Sequence, residues 1–391
     1  MPQNSGEYIP RRGHVNPIDR SPMKSTLLKW IVIGLILVVM PLAGAVLSGN
    51  PPGGYLEFPP RPRAVPPRPF SWPVFWSYAV LIAAVVTPLL VTGLRGLARH
   101  RLAPPPRGRW PWWGSLALAA GAASWVLAWM RFDWFAAGQP HTFVPLWLSY
   151  IAVVNALAYR RTGRCMLTHQ RRHLAFLFAG SAVFWWFFEY LNRFVQNWYY
   201  TGAEYGAVTY SLLATASFAT VLPAVLGTRD WLAGFDLFRR GWDGWPAPVP
   251  RSPRRAAAAV LVLAAAALAA IAAWPNQLFA LVWVAPLGVV ASVQTLWGRR
   301  HLLGEPTRGH WSPVVTSAAA ALVCGFFWEM WNAGSLVGWT YTVPYVQRFE
   351  LFAMPILGYA GYLPFGLECA AVEELLGELS GGRTGAAHDV S

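Results

Sequence analysis

Long apolar runs separated by short polar gaps recur along the whole of this sequence. Most of them are long enough, at about 1.5 Å per helical residue, to cross roughly 30 Å of hydrocarbon. Only 12% of the residues are charged, whereas soluble domains carry about a quarter. The sequence therefore predicts an all-α, polytopic membrane protein with about ten transmembrane helices. The predicted helices are at 30–48, 73–94, 111–130, 143–159, 174–194, 207–227, 256–274, 277–297, 313–333 and 352–372.

The basic residues fall mainly in every second gap between these runs. With ten helices, 25 of the 31 Lys and Arg residues lie on the side that holds both termini. Cytoplasmic loops carry such an excess of positive charge. We therefore predict a multi-pass protein of the bacterial inner (plasma) membrane with its N- and C-termini in the cytoplasm. The net charge of +14 is explained by this distribution, so the predicted partner is the lipid bilayer and not nucleic acid.

The two ends of the chain differ in composition from its middle. We predict disordered cytoplasmic tails at 1–27 and 374–391, and two N-terminal transmembrane helices within 28–100, joined by a Pro-rich outer linker at 49–72. The first apolar run has a small-residue stretch at 43–45 that resembles a signal-peptide cleavage site. Its length favours an uncleaved membrane anchor over a signal peptide.

The central and C-terminal parts of the sequence resemble each other. Predicted helices 3–6, within residues 110–230 (unit 1), and 7–10, within residues 255–373 (unit 2), share an ordered series of matches. These are Glu-x-x-Asn at 189–192 and 329–332, Trp-x-Tyr-Thr at 198–201 and 339–342, and Leu-Pro at 222–223 and 363–364. We predict a tandem duplication of a four-helix unit. An even number of helices per unit makes the two copies parallel in the membrane, unlike the inverted repeats of many transporters.

The Glu-x-x-Asn matches give the strongest indication of a functional site. Residues three apart share one helix face, and ionisable residues within membrane segments are functional candidates by default. Both carboxylates are expected near the outer ends of their helices, with aromatic residues above them. The predicted ligand-binding residues are Glu189, Asn192, Trp198 and Tyr200 from unit 1, and Glu329, Asn332, Trp339 and Tyr341 from unit 2.

A simpler interpretation of these residues is an aromatic belt at the membrane surface. In that case each Glu would reach lipid headgroups or pair with Arg193 or Arg348. Glu368, near the cytoplasmic end of the last predicted helix, is a second-rank site candidate whose counterpart in unit 1 is Gly227. Two polar loop residues, Asp133 and His141, are placed where they could approach the outer face.

No metal site or cofactor is predicted. Cys165, His169 and His173 have a spacing that would place them on one helical face. Five Arg residues surround them, however, so a basic segment meeting anionic lipid is the favoured interpretation. The three cysteines, which include Cys324 and Cys369, show no paired spacing and indicate no disulfide framework.

The blocks FFWEMWN (326–332), GWTYTVPY (338–345) and MPILGYAGYLPFGLE (354–368) resemble a family of bacterial polytopic membrane proteins that has no known activity. The same region is similar to the duplicated, membrane-embedded lycopene cyclase domains, in which a carboxylate follows a Pro at a helix start. Here Pro355 is followed by Ile356 and Leu357 instead of that family's Glu pair. The resemblance therefore does not extend cyclase chemistry to this chain.

Three functional classes follow from these features. The favoured one is binding or transport of an amphipathic, lipid-like ligand at an outer-leaflet site between the two units, since such a cavity needs few polar groups. The second is an intramembrane enzyme that acts on an isoprenoid or a lipid through its paired Glu residues. The third is a membrane scaffold or assembly protein. The sequence leaves the ligand and the oligomeric state open.

Overall fold

The protein is an all-α polytopic membrane protein. The computed structural model describes residues 21–59, 66, 68–99, 108–242 and 245–379. The N-terminal part contains α1 (Ser21–Leu47), α2 (Gly53–Leu56) and α3 (Trp72–Arg99). Next come α4 (Trp112–Trp129), α5 (Phe143–Thr162), α6 (Met166–His169), α7 (Arg171–Val195), α8 (Ala207–Phe218), α9 (Val221–Ala233) and α10 (Asp236–Arg240). The remaining α-helices are α11 (Pro253–Ala270), α12 (Pro275–Leu278), α13 (Ala285–Leu296), α14 (Ser312–Gly334) and α15 (Tyr362–Leu379).

Short 3₁₀ helices and strands complete the described part of the chain. The 3₁₀ helices are Asp133–Phe135, Gln139–His141, Phe279–Trp283, Leu302–Gly304, Pro306–Arg308 and Ile356–Gly361. The strands are β1 (Trp198–Thr201), β2 (Gly338–Tyr341), β3 (Glu350–Leu351) and β4 (Met354–Pro355). They form two antiparallel pairs, β1 with β2 and β3 with β4.

Within these residues, seven helices are long and apolar enough to cross a membrane, or eight if the bent pair around α12 and α13 forms one span. Two of the ten predicted spans, α4 and α15, are not among them. Trp, Gly and Ser residues lower the hydropathy of α4, and α15 carries four Glu residues. The multi-pass class of the protein is therefore established, while ten spans stay a prediction.

Several predicted boundaries were wrong. Helix α1 begins at Ser21 and α15 continues to Leu379, so parts of both predicted tails are helical, and the rest of those tails lies outside the described residues. The run predicted as a helix from residue 352 begins with β3, β4 and a 3₁₀ helix, and α15 starts only at Tyr362. Phe352 there has a left-handed φ of 57°, which a continuous right-handed helix cannot contain.

The span at Ala207–Ala233 has a break between α8 and α9, and Ser181 of α7 compensates for it. Its hydroxyl donates to the carbonyl of Phe218 at 2.6 Å and accepts from the amide of Leu222 at 2.9 Å. These backbone groups lack the usual helical partners at the break. A polar residue in an apolar helix therefore stabilises a bend in its neighbour.

The main core lies where helices of the two units meet. Helices α5, α7, α9, α14 and α15 contribute to it, and Trp147, Phe188 and Phe365 are almost completely buried there. Helix α1 packs on α11 beside a second core. A Cβ at Gly44 would lie 1.8 Å from the carbonyl oxygen of Ala269, so only Gly allows this close helix approach.

Contacts across the core occur in matching pairs. Trp147 of α5 packs on Trp328 of α14 with ring centroids 4.8 Å apart. Trp283, which precedes α13, packs on Phe188 of α7 at 5.1 Å. In the sequences of the units, Trp147 and Trp283 each precede a Val-Val pair by six residues, at 153–154 and 289–290, and Phe188 and Trp328 each precede the Glu of the Glu-x-x-Asn match. The duplication stays a prediction, but each unit contacts the other in the way that a twofold arrangement of equivalent units requires.

Candidate functional site

The two carboxylates of the predicted site lie on equivalent helices. Glu189 is in the last two turns of α7, and Glu329 is in the last two turns of α14. Both side chains are buried, with 4% and 0% of their surface exposed. Neither forms an ion pair with another described residue: Arg193 donates to the carbonyl of Tyr55, and Arg348 lies over the rings of Phe70 and Trp72. Buried carboxylates do not reach lipid headgroups, so the aromatic-belt interpretation does not fit this geometry.

The two asparagines hold the strands that follow these helices. The Asn192 amide donates to the carbonyl of Trp198 at 2.8 Å, and its oxygen accepts from the amide of Asn197 at 2.8 Å. Asn332 makes the equivalent contacts with the carbonyl and amide of Trp339, both at 2.8 Å. The hydrogen-bonding groups of both asparagines are therefore used by the backbone. Their observed role is to fix the strands, whereas the sequence predicted contact with a ligand.

Strands β1 and β2 pair antiparallel and connect the two units. Trp198 is opposite Tyr341, and Tyr200 is opposite Trp339. Side chains alternate between the two faces of a ribbon, and directly paired residues share a face. All four predicted aromatic residues therefore project from one face of the ribbon. That face carries the hydrogen-bond donors that reach the two carboxylates.

Glu189 accepts three hydrogen bonds on a single oxygen. Its Oε1 accepts from the indole N–H of Trp185 at 3.1 Å, from that of Trp198 at 3.0 Å and from the hydroxyl of Tyr200 at 2.7 Å. Burial and the neighbouring carboxylate raise the pKa of the Tyr200 hydroxyl well above its usual value. Tyr200 therefore keeps its proton and is the donor in this bond.

Glu329 has a different set of donors. Its Oε1 accepts from the hydroxyls of Tyr341 and Tyr362, each at 2.6 Å. The indole of Trp339 donates to the Tyr341 oxygen at 2.7 Å, so it reaches Glu329 only through that hydroxyl. Burial, followed by the charge of Glu329, raises the pKa of Tyr341 well above its usual value. The second oxygen, Oε2, is buried and has no hydrogen-bond partner among the described residues.

Each unit has one donor that the other unit lacks: Trp185 donates to Glu189, and Tyr362 donates to Glu329. In the sequence alignment of the units, Trp185 matches Gly325 and Tyr362 matches Val221. A Cβ at Gly325 would lie 2.4 Å from the ring of Tyr362, so this ring lies directly over the glycine. Unit 1 supplies its extra donor from the helix that carries the Glu, and unit 2 supplies it from α15. Gly325 has no side chain, and this leaves the space that the Tyr362 ring occupies.

One cavity of about 640 Å³ touches the donors of both carboxylates. Neither Glu189 nor Glu329 lines it, because the aromatic donors lie between each carboxylate and the open space. Fifteen of the 39 described residues that line it are Trp, Tyr or Phe, and most of the others are aliphatic. The aromatic residues are Phe143, Trp185, Trp198, Tyr200, Tyr205, Tyr210, Phe218, Phe279, Trp283, Trp328, Trp339, Tyr341, Tyr362 and Phe365, with Tyr78 of α3. Ligand sites are typically apolar cavities of about 300–1,000 Å³ with a few polar groups.

Of the lower-ranked candidates, Glu368 and Asp133 lie outside this cavity, and His141 lines it. Glu368 is buried, does not line the cavity, and accepts from the amide of Leu287 at 3.2 Å. Leu287 is in the first turn of α13, where backbone amides lack helical partners, so Glu368 caps this helix.

The predicted shared face of Cys165, His169 and His173 was wrong. Helix α6 ends at His169, and Gln170 interrupts the helix with φ −132° and ψ 44° before α7 begins. His173 instead contacts Glu373 of α15 at 3.1 Å. Among the described residues, no group of three or more Cys, His, Asp or Glu side chains is arranged to hold a metal ion.

Two donors were not among the predicted site residues: Trp185, which was expected near the carboxylates without a role, and Tyr362, which was missed. Trp185 lies four residues before Glu189 on the same helix face, and this spacing was a usable signal. Tyr362 is 33 residues from Glu329, and no spacing rule connects them. Comparison with known proteins adds no further assignment: no family model, no curated protein and no solved structure matches this chain. The resemblance of its C-terminal blocks to a bacterial membrane protein family therefore stays a prediction.

Proposed function

We propose that this protein binds an amphipathic, lipid-like ligand in the cavity between units 1 and 2. The observation that carries the proposal is the shared cavity itself: about 640 Å³, walled mainly by aliphatic and aromatic residues, with hydrogen-bonding groups of both units on the ribbon face. An apolar cavity holds an apolar chain, and a small polar region orients a headgroup. The positive-inside distribution of Lys and Arg would place this cavity on the periplasmic side, with both termini in the cytoplasm.

Access from the bilayer is part of this proposal. Ala216 of α8 and Val284, between a 3₁₀ helix and α13, both line the cavity and both are exposed. Ala216 belongs to the candidate membrane span Ala207–Ala233, and Val284 lies at the bend of the apolar helix pair around α12 and α13. A lipid-like molecule would therefore enter sideways at one of these apolar segments without crossing water.

The other functional classes have less support from the geometry. Ion-coupled transport calls for a polar route from the two carboxylates towards Glu368, but Glu368 lies outside the cavity and caps α13. Direct acid catalysis calls for a carboxylate in contact with the substrate, and the aromatic donors separate both carboxylates from the cavity. A scaffold needs no cavity at all. Ligand binding is the function that uses the observed features.

A cavity-filling variant tests the proposal. Ala214 of α8 lines the cavity, and Leu212 of the same helix is 68% exposed and does not. Binding of a fluorescent dodecyl-chain amphiphile with an uncharged head is measured on the full chain in nanodiscs. Ala214→Phe is expected to weaken binding at least tenfold (about 1.4 kcal/mol), while Leu212→Phe binds as the wild type does. Equal binding by both variants, or no saturable binding by the wild type, would refute the proposal.

A further inference from the structure

Among the described residues that line the cavity, none is Lys, Arg, Asp or Glu, and His141 is the one His. This part of the wall therefore offers no Lys or Arg to recognise an acidic headgroup. Fifteen of these described lining residues are instead Trp, Tyr or Phe, and they include the four aromatic residues of the β1–β2 ribbon. The faces of these rings carry partial negative charge and attract cations, and aromatic cages bind quaternary ammonium groups in this way.

Glu189 and Glu329 lie directly behind the wall, and their negative charge adds to the partial negative charge of the ring faces. Trp185, Trp198 and Tyr200 line the cavity and donate to Glu189. Tyr341 and Tyr362 line it and donate to Glu329. In each case one layer of side chains separates a carboxylate from the ligand space. In such an apolar site, charge acts over this distance with little screening.

Among the described residues, Arg193 is the positive charge that interacts with Glu189, and no such partner is found for Glu329. Neither Glu189 nor Glu329 has an ion-pair partner among the described residues. Arg193, one turn from Glu189 on α7, directs its guanidinium to the carbonyl of Tyr55. Glu329 Oε2 is buried and has no hydrogen-bond partner in the described part of the chain, so the acceptor capacity of this carboxylate is not fully used there.

The geometry points to a ligand whose head is a cation: the cavity selects amphiphiles with an ammonium headgroup, which lies against the Trp and Tyr face of the β1–β2 ribbon. The alkyl chain extends along the apolar wall near Leu213, Phe218 and Phe365. This inference rests on the proposed binding function and names the chemical class of its ligand. An anionic head would meet the ring faces and the two carboxylates with the same sign of charge.

Three dodecyl amphiphiles with different heads test the inference: dodecyltrimethylammonium, dodecyl maltoside and dodecyl sulfate. Each is used to displace the fluorescent uncharged probe from the full chain in nanodiscs. The ammonium compound is expected to bind at least tenfold more tightly than the maltoside, and the sulfate more weakly than both. Glu189→Gln and Glu329→Gln, which keep the side-chain volume, should each reduce the ratio of ammonium to maltoside affinity about tenfold.

The control is Glu204→Gln, which removes the same charge from an exposed residue outside the cavity wall and should leave the preference unchanged. An equal loss in this variant would mean that general surface charge attracts the ammonium compound, and would overturn the inference. Equal affinity for the three heads in the wild type would also overturn it, whether or not the Gln variants fold. Failure of the proposed function is distinct: the uncharged probe would then bind no better to the wild type than to Ala214→Phe.

Discussion

Units 1 and 2 present the same polar arrangement through different residues. In both, a Glu in the last turns of a helix accepts from a strand Tyr, and an Asn fixes that strand. The Glu189 donors include two indoles, whereas both donors to Glu329 are hydroxyls. What the units share is thus a buried acceptor surrounded by aromatic donors. The identity of each donor depends on which neighbouring side chain has room to reach it.

A second difference concerns the helix before each Glu-bearing helix. In unit 1, α5 continues without a break from Phe143 to Thr162. In unit 2, the corresponding segment breaks at Val284 with a bend of 48°. Unit 2 also has Glu368 at the position matched by Gly227 in unit 1, and Glu368 caps the first turn after the break. Phe279, Ala280 and Trp283, which precede the break, line the cavity, so this difference between the units helps to form the wall.

The largest expected effect comes from giving unit 2 the donor arrangement of unit 1. Gly325→Trp places an indole where the Tyr362 ring lies, and we expect a loss of about 3 kcal/mol of stability from overpacking. Adding Tyr362→Val should recover at least about 1 kcal/mol, because the two sites are in direct contact. Denaturant titration of the single and double variants measures this coupling.

The control for that exchange is Leu322→Trp on the same helix. Leu322 is 38% exposed, so an indole there should change stability by less than about 0.5 kcal/mol. Strictly additive losses in Gly325→Trp and Tyr362→Val would contradict the view that the two residues occupy one space.

We expect two Tyr→Phe variants to differ by about 1 kcal/mol in their loss of stability. Tyr200→Phe leaves Glu189 with two indole donors, and we expect a loss of about 1 kcal/mol. Tyr341→Phe leaves Glu329 with one donor and removes the acceptor of the Trp339 indole, so we expect about 2 kcal/mol. Thermal unfolding of both variants in the same detergent shows which of them loses more stability. A larger loss in Tyr200→Phe would mean that Glu189 depends on its hydroxyl donor more than the contacts indicate.

Removal of the helix cap should affect unit 2 alone. Glu368→Ala leaves the Leu287 amide without its acceptor, and a lost cap costs about 1–1.5 kcal/mol. Hydrogen exchange at Leu287 should become faster, while Ile151, its counterpart within the continuous α5, should be unchanged. Glu368→Gln keeps a carbonyl acceptor and should restore most of the protection. Unchanged exchange at Leu287 in the Ala variant would remove the basis for the capping role.

The smallest difference in stability is expected between the Ala variants of the two asparagines. Asn192→Ala and Asn332→Ala each remove two close contacts with a strand backbone, and each should cost about 1 kcal/mol. Asn192 also accepts weakly from the Trp198 amide at 3.4 Å, so its loss should be slightly the larger. Amide exchange in β1 and β2 measures the effect. If ligand affinity fell in either variant while ribbon exchange stayed unchanged, a direct contact between that Asn and the ligand would be indicated.

The sequence identified the polar residues of the site more successfully than their roles. Glu189, Glu329, Trp198, Tyr200, Trp339 and Tyr341 were selected from a repeated spacing, and the structure brings all six together. Asn192 and Asn332 were selected with them, yet their amides bind the backbone. Spacing on a helix shows which side chains share a face, but it does not show what that face contacts.

Hydropathy and local spacing determined the class of this protein without any tertiary information. Long uncharged runs form helices in a membrane because every backbone group is then satisfied within its own segment, and a charged residue in such a run identifies a site candidate. Contacts between distant segments were decided only by the tertiary structure. The pairing of β1 with β2, the reach of Tyr362 to Glu329 and the capping of α13 by Glu368 depend on how helices far apart in sequence pack, because each contact needs a partner and a space that no single segment contains.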